Sequence, residues 1–224
     1  MDQTRVKNLI KSLIELISFH IFAVGFVLTH HLPSTAINYY LLVLIAMIAL
    51  YKEFMLPLKP NQFFSGFYSL IFILIAAFGY KSMNPYVSIL IFAQLFFLFV
   101  TKYIPQKYNL ASIVIKDFVV PCFVSIAILF YYAHFISIHF VVPLLLVNII
   151  AIMITYFDGE MNSYIQIIVT AVATLILFLL GYLNIFSTIA VIAFTLITVL
   201  LKIFNKFATN NVVYRFIGNI LLII

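Results

Sequence analysis

Two carboxylates and an amide stand close together in Thr155-Tyr156-Phe157-Asp158-Gly159-Glu160-Met161-Asn162-Ser163. Oxygen ligands of this kind suit a hard cation such as Mg²⁺, usually with a phosphate as co-ligand. The stretch holds two of the chain's six acids and no basic residue. It reads either as a cation site or as a solvated turn in which Gly159 makes the bend. Asp117 lies beside Lys116, a turn or so into an apolar stretch. Burying an acid at membrane depth costs about 2.5–3.5 kcal/mol even on lenient insertion scales, so such a residue is a functional candidate by default. One arrangement lets Lys116 reach for the interface while Asp117 faces inward; the other leaves both among the headgroups. Glu15 follows Lys11 by four residues and reads as its interfacial partner. Asn148, ten residues before Asp158, and Gln94 place amides within apolar stretches. They serve as interhelical hydrogen bonds or as pocket walls.

Histidine and cysteine chemistry finds less support. His20, His30, His31, His134 and His139 include no His-x-x-x-His pair of the kind that puts two ligands on one helical face. His20 lies alone within the first apolar segment, and the other four read as interfacial residues. Cys122 is the chain's single cysteine, so a disulfide and a cysteine-based metal site are both excluded, and it reads as a small packing residue.

The elements that must position these groups follow from composition. Of 224 residues 66% are apolar and 8% charged, with mean hydropathy +1.24; a soluble domain is nearer 45–50% and about 25%. That excludes a soluble enzyme, a disordered tail and a secreted disulfide domain. At ~20 residues per crossing the length allows eight or nine crossings, and residues 1–224 read as one integral membrane domain. Cutting at clusters of Pro, Asn, Lys and His gives apolar segments at 12–30, 36–55, 64–80, 86–104, 112–133, 139–156, 163–182 and 187–204, and a short ninth at 212–224. Helices are expected, because in lipid each backbone N–H must find a partner within its own segment, and the alternating pattern of a barrel strand is missing. The fold expected is an all-α polytopic transmembrane bundle of eight to nine helices. The first segment is expected to stay as an uncleaved helix, since no small-residue cleavage site follows its basic start. The ninth is too short for a full crossing; it reaches partway, lies at the interface or marks a shortened end.

With nine segments and a cytoplasmic N-terminus, eleven of the twelve basic residues fall on one face and only Lys81 on the other. This split fixes the orientation by the positive-inside rule. The net charge of +6 therefore marks a membrane face rather than a nucleic-acid surface.

The layout resembles the UbiA-type intramembrane prenyltransferases, through Ser18-Phe19-His20-Ile21 and the run from Val147-Asn148 to Thr155-Tyr156-Phe157-Asp158-Gly159-Glu160. The resemblance implies nine helices, a cytoplasmic N-terminus and two acidic motifs, after helices two and six, that hold Mg²⁺ and an isoprenyl diphosphate. Asp158 matches the first acid of the second motif and Glu160 stands off-register for the next. Where the first motif belongs, this chain has Tyr51-Lys52-Glu53-Phe54-Met55, with Glu53 standing in for one ligand. The resemblance thus implies Asp158, Glu160 and Glu53 as metal ligands, Lys52 or Lys107 steadying the phosphates, and Asn148 by the substrate, with Glu53 facing Asp158 across one pocket. It also implies the bacterial inner membrane and leaves open whether the prenyl group is bound or transferred. Two other functions fit the residues. In a transporter, Asp117, Asn148 and Gln94 would converge on a solute at mid-depth. In a non-catalytic partner subunit, short loops and few polar groups would suffice.

Overall fold

The computed structural model describes residues 3–32, 35–58, 60–105, 108–157, 160–204 and 210–223, except for the side chains of Glu160 and Met161. Among the described residues all regular structure is helical. The helices are α1 (Gln3–Thr29), α2 (Tyr39–Leu58), α3 (Gln62–Gly79), α4 (Pro85–Thr101), α5 (Asn109–Ala133), α6 (Ile138–Tyr156), α7 (Glu160–Leu179), α8 (Ile185–Ile203) and α9 (Asn211–Leu221). Seven of them are long and apolar enough to cross a membrane, and α4 follows with 17 residues. The chain is a multi-pass helical membrane protein by the length and composition of its helices.

The residues that divide the apolar segments are the ones that start the helices. Asn38, Asn61, Asn84, Asn184 and Asn210 each accept a backbone N–H from the first turn of α2, α3, α4, α8 and α9. Ser137 does the same for α6. A side-chain oxygen at this position satisfies a donor that has no partner within the helix. Helix α1 begins well before its apolar stretch, at Gln3, because Arg5, Lys7 and Lys11 continue the same helix toward the headgroups.

The chain divides into two compact units, residues 1–136 and 137–224. In the first, α1 packs on α5 and α2, and α4 packs on α5. Ser125 Oγ donates to the Phe19 carbonyl and ties α5 to α1. Helix α3 is peripheral and lays a row of aromatic and aliphatic side chains outward, Phe63 being 83% exposed. Such a face suits a lipid surrounding, in keeping with a helix long and apolar enough to cross a membrane. Gly79 lets the end of α3 approach α2, since a Cβ there would lie 2.7 Å from Tyr40 Cβ.

The second unit packs α6 against α7 and α9, and α7 against α8. Its apolar centre includes Ile150, Ile154, Val191, Val199 and Tyr214. Helix α9 is eleven residues long and packs against α6 and α8. Asn211, Arg215 and Asn219 recur every four residues along one of its faces, and all three are buried. This polar face is buried within the second unit together with Val212 and Tyr214, while Val213, Phe216, Ile217 and Ile220 are half-buried.

Candidate functional site

Two helices of the first unit depart from α geometry at the positions of the charged residues. Tyr51–Met55 in α2 and Ile115–Val119 in α5 form π-helical turns, closed by bonds from the Leu56 N–H to the Tyr51 carbonyl and from the Val120 N–H to the Ile115 carbonyl. Such single turns, with one extra residue, are frequent at functional sites. In α2 the turn splits its side chains between two directions. Tyr51 packs its ring 4.8 Å from Phe99 of α4 and 5.4 Å from Tyr68 of α3. Lys52 and Glu53 turn toward the charges of α1 and α5.

There Lys52 gathers three carboxylates. Its Nζ lies 2.5 Å from Glu15 Oε1, 2.9 Å from Glu53 Oε1 and 3.3 Å from Asp117 Oδ1. The side chains of Lys52 and Glu15 are wholly buried, and that of Asp117 is 3% exposed. Three of the chain's six acids thus meet on one ammonium. Lys116 Nζ stands 3.5 Å from Asp117 Oδ2 with its side chain 30% exposed, so Lys116 reaches outward while Asp117 faces in. The pairing expected between Glu15 and Lys11 gives way to one with Lys52. Glu15 lies on the buried face of α1, where an unneutralised carboxylate would cost several kcal/mol.

Beside the cluster, a pocket of about 440 Å³ is lined by Leu56, Pro60, Thr101, Lys102, Ser112 and Lys116. It lies where α2 and α4 end and α5 begins, at the basic face. Lys102 Nζ donates to the Pro60 carbonyl at 2.6 Å and to Ser65 Oγ at 3.4 Å. Lys116 lines the pocket and also touches the cluster. A second, apolar cleft of about 510 Å³ opens between α3 and α4, among Ile73, Ala76, Ala77, Tyr80, Ile89 and Phe92.

In the second unit, Lys202 Nζ donates to the carbonyls of Ile154 and Phe157 at 2.7 and 3.0 Å, and Gln166 Nε2 to that of Phe157 at 2.7 Å. A cation on the last carbonyls of α6 offsets the negative end of the helix. Asn148 Nδ2 bonds back to the Leu144 carbonyl, while Asn148 Oδ1, Gln166 Oε1 and both polar atoms of the Asn211 amide are buried with no hydrogen-bond partner. In the first unit Gln94 repeats the arrangement of Asn148: its Nε2 bonds to the Leu90 carbonyl and its Oε1 is left over. Buried polar atoms without partners in the chain are rare.

The structure therefore brings Lys52, Glu53 and Asp117 into one cluster. Asp158 and Lys107 lie outside the described residues, as does the side chain of Glu160, which opens α7; the expected facing of Glu53 and Asp158 lies there too. Among the described residues no three His, Cys, Asp or Glu side chains are arranged to hold a metal ion. His30 stacks on Phe26 at 4.1 Å and His139 lies 5.1 Å from Tyr182. Four buried or site-lining charges were not placed by sequence reasoning: Glu15 and Lys116 at the cluster, Lys102 at the pocket and the buried Arg215. One signal was available, since Glu15 sits between Leu13-Ile14 and Leu16-Ile17 and a carboxylate so flanked needs an internal cation.

These features define a multi-pass membrane protein with a buried carboxylate–lysine cluster beside a basic pocket. No known family, no curated protein and no solved structure matches the chain.

Proposed function

We propose that this protein binds an isoprenyl diphosphate, in the manner of the UbiA-like prenyltransferases it resembles, and that it resides in a bacterial inner membrane. The observation that carries this reading is the pocket of Lys102 and Lys116 at the basic face. Two ammonium groups, with the hydroxyls of Thr101 and Ser112, suit the clustered oxygens of a phosphorylated headgroup. An apolar chain attached to that headgroup would lie among the lipid-facing helices. The unpartnered amide oxygens of Asn148 and Gln166, the Asn211 amide and the buried Arg215 support a polar site in the second unit, on the helices that flank and follow Asp158 and Glu160. Those two acids are the residues that would hold Mg²⁺, whose part would be to neutralise the diphosphate. Within the first unit the residues do not fit a metal, because Lys52 already sits among the carboxylates.

The test is binding of geranylgeranyl diphosphate to the detergent-purified chain, with Mg²⁺ and with chelator. Lys102→Gln and Lys116→Gln are each expected to weaken binding roughly tenfold, the loss of one charge-assisted contact. Asp158→Asn and Glu160→Gln are expected to abolish the Mg²⁺-dependent part. No binding by the wild type, or binding indifferent to all four substitutions, overturns the reading. A second reading is a small-solute transporter, supported by the left-over amide oxygen of Gln94 in the first unit and, separately, by that of Asn148 in the second. Solute uptake that requires Asp117 and is unaffected by Asp158→Asn would favour it.

A further inference from the structure

Tyr51 carries a polar atom into an apolar contact. The π turn at Tyr51–Met55 sets its ring against Tyr68 of α3 and Phe99 of α4, with centroids 5.4 and 4.8 Å away, and the residue is wholly buried. The neighbouring Tyr68 hydroxyl donates to the Met47 carbonyl at 2.6 Å. The Tyr51 hydroxyl has no such outlet: it lies beside Ser65 but forms no hydrogen bond of full geometry with any group among the described residues. A phenylalanine would fill the same space without a buried, unsatisfied donor and the desolvation cost that goes with it. Ser65 is itself buried, and its Oγ is engaged from another side by Lys102 Nζ at 3.4 Å. Lys102 in turn lines the pocket with Lys116. Three polar groups thus lead from Tyr51 through Ser65 to the pocket.

We infer that Tyr51 is a positioning residue of this pocket: when an anion draws the Lys102 ammonium off Ser65, the Tyr51 hydroxyl takes its place as the donor to Ser65 Oγ. The inference rests on the reading of the pocket as a phosphate site and adds to it the residue that accommodates the ligand. The distances favour this exchange. Lys102 Nζ holds the Pro60 carbonyl at 2.6 Å but Ser65 Oγ only at 3.4 Å, near the limit of a hydrogen bond. The contact with Ser65 is therefore the one given up for a phosphate oxygen, which makes the stronger, charge-assisted bond. Without the Tyr51 hydroxyl, that release would leave a buried Ser65 Oγ without its donor. With it, one donor replaces another, and no proton changes hands: Lys102 stays an ammonium and Tyr51 a phenol. The ligand-free protein bears the penalty of an idle buried hydroxyl, and the bound protein is relieved of it.

The exchange can be tested without a ligand, because removing the Lys102 ammonium also frees Ser65. Thermal unfolding of the detergent-purified full chain is followed by circular dichroism for the wild type, Tyr51→Phe, Lys102→Met and the double variant. Tyr51→Phe keeps the ring and removes only the hydroxyl, so in the wild type it is expected to raise Tm by roughly 2–4 °C. In the Lys102→Met background, where Tyr51 donates to Ser65, the same change is expected to lower Tm by a similar amount. Adding Ser65→Ala to Lys102→Met is expected to restore the rise. A Tyr51 that serves packing alone would shift Tm the same way in every background, and that result overturns the inference. Where Lys102→Met does not fold, Lys102→Ala supplies the same comparison. With geranylgeranyl diphosphate, Tyr51→Phe is expected to weaken binding roughly fivefold, the loss of one hydrogen bond. Ser65→Ala is expected to add nothing further in the Tyr51→Phe chain. Wild-type binding that Tyr51→Phe leaves unchanged overturns the inference and spares the diphosphate reading. Absence of binding by the wild type overturns that reading, and the sign of the Tm shift still decides the exchange.

Discussion

Lys52 and its three acids are not equivalent in what they contribute, and the inequality is measurable. Removing Lys52 leaves Glu15, Glu53 and Asp117 crowded together in the interior, and breaking a buried pair from the side of its shared partner costs about 3–5 kcal/mol. Removing one acid leaves Lys52 with two carboxylates at 2.9 and 3.3 Å. Glu15→Gln also keeps an amide oxygen that can accept from Nζ, so its cost should be about 1–2 kcal/mol, that of one weakened hydrogen bond to a charge. Unfolding of Lys52→Met and Glu15→Gln in detergent, followed by circular dichroism, should therefore separate the two by several degrees in Tm. Equal losses would mean that Lys52 has no special place among the four. Of the four, Asp117 is the one the sequence marks as a candidate for burial, because it lies a turn into an apolar stretch, while Glu15 reads there as interfacial. The meeting of the four is not legible there, because Lys52 lies 37 residues from Glu15, and only the packing of α1, α2 and α5 brings them together. Local spacing instead pairs Glu15 with Lys11, four residues away.

Close approach between helices is the matching question for the elements. Helix α9 touches α6 at Gly218, where a Cβ would lie 2.7 Å from Val147 Cγ1 and 3.3 Å from Cγ2. A valine has little rotameric freedom with which to yield, so Gly218→Ala should cost about 1–3 kcal/mol through overpacking. Val147→Ala should recover most of that loss in the double variant, which a thermal unfolding series would show. Gly66 in α3 makes the contrast: nothing lies within 4 Å of its would-be Cβ, so Gly66→Ala should be neutral or stabilise the helix by up to about 1 kcal/mol. A destabilising Gly66→Ala, or a Gly218→Ala that no change at Val147 relieves, would contradict these packings. The number of helices is legible in the sequence because Asn38, Asn61, Asn84, Asn184 and Asn210 punctuate it, and these five open helices. The character of α9 is not legible in the same way. Hydropathy counts residues without direction, so a short apolar end gave no sign that Asn211, Arg215 and Asn219 form a buried face. The π turns of α2 and α5 likewise have no signature in Tyr51–Met55 or Ile115–Val119, since inserting one residue into a turn is decided by what the helix packs against.

Across the whole molecule, charge sets orientation, and the burials refine how much of that charge is available to do so. Of the eleven basic residues assigned to one face, Lys52 and Arg215 are each 1% exposed and belong to the interior. The other nine still oppose a single Lys81, so the positive-inside argument keeps its direction with less weight. Lys116 shows why counting alone overstates it, since part of its charge is directed at Asp117. The Lys102–Lys116 pocket belongs to the same face, which ties orientation to the proposed function: a diphosphate made in the cytoplasm would reach it only if that face is inside. Cysteine labelling decides the matter directly. In a chain with Cys122→Ala, Ser82→Cys lies in the exposed turn after α3 beside Lys81, and Tyr103→Cys lies just past α4 in an exposed position beside Lys102. With the protein expressed in a bacterial inner membrane, a membrane-impermeant maleimide added to intact spheroplasts should label Ser82→Cys and leave Tyr103→Cys unlabelled until the membrane is opened. The reverse pattern would put the basic face outside, and the pocket would then have to draw its anion from the extracytoplasmic side. Equal labelling of both before permeabilisation would mean a mixed orientation, and the nine remaining charges would then be too few to hold the chain one way round.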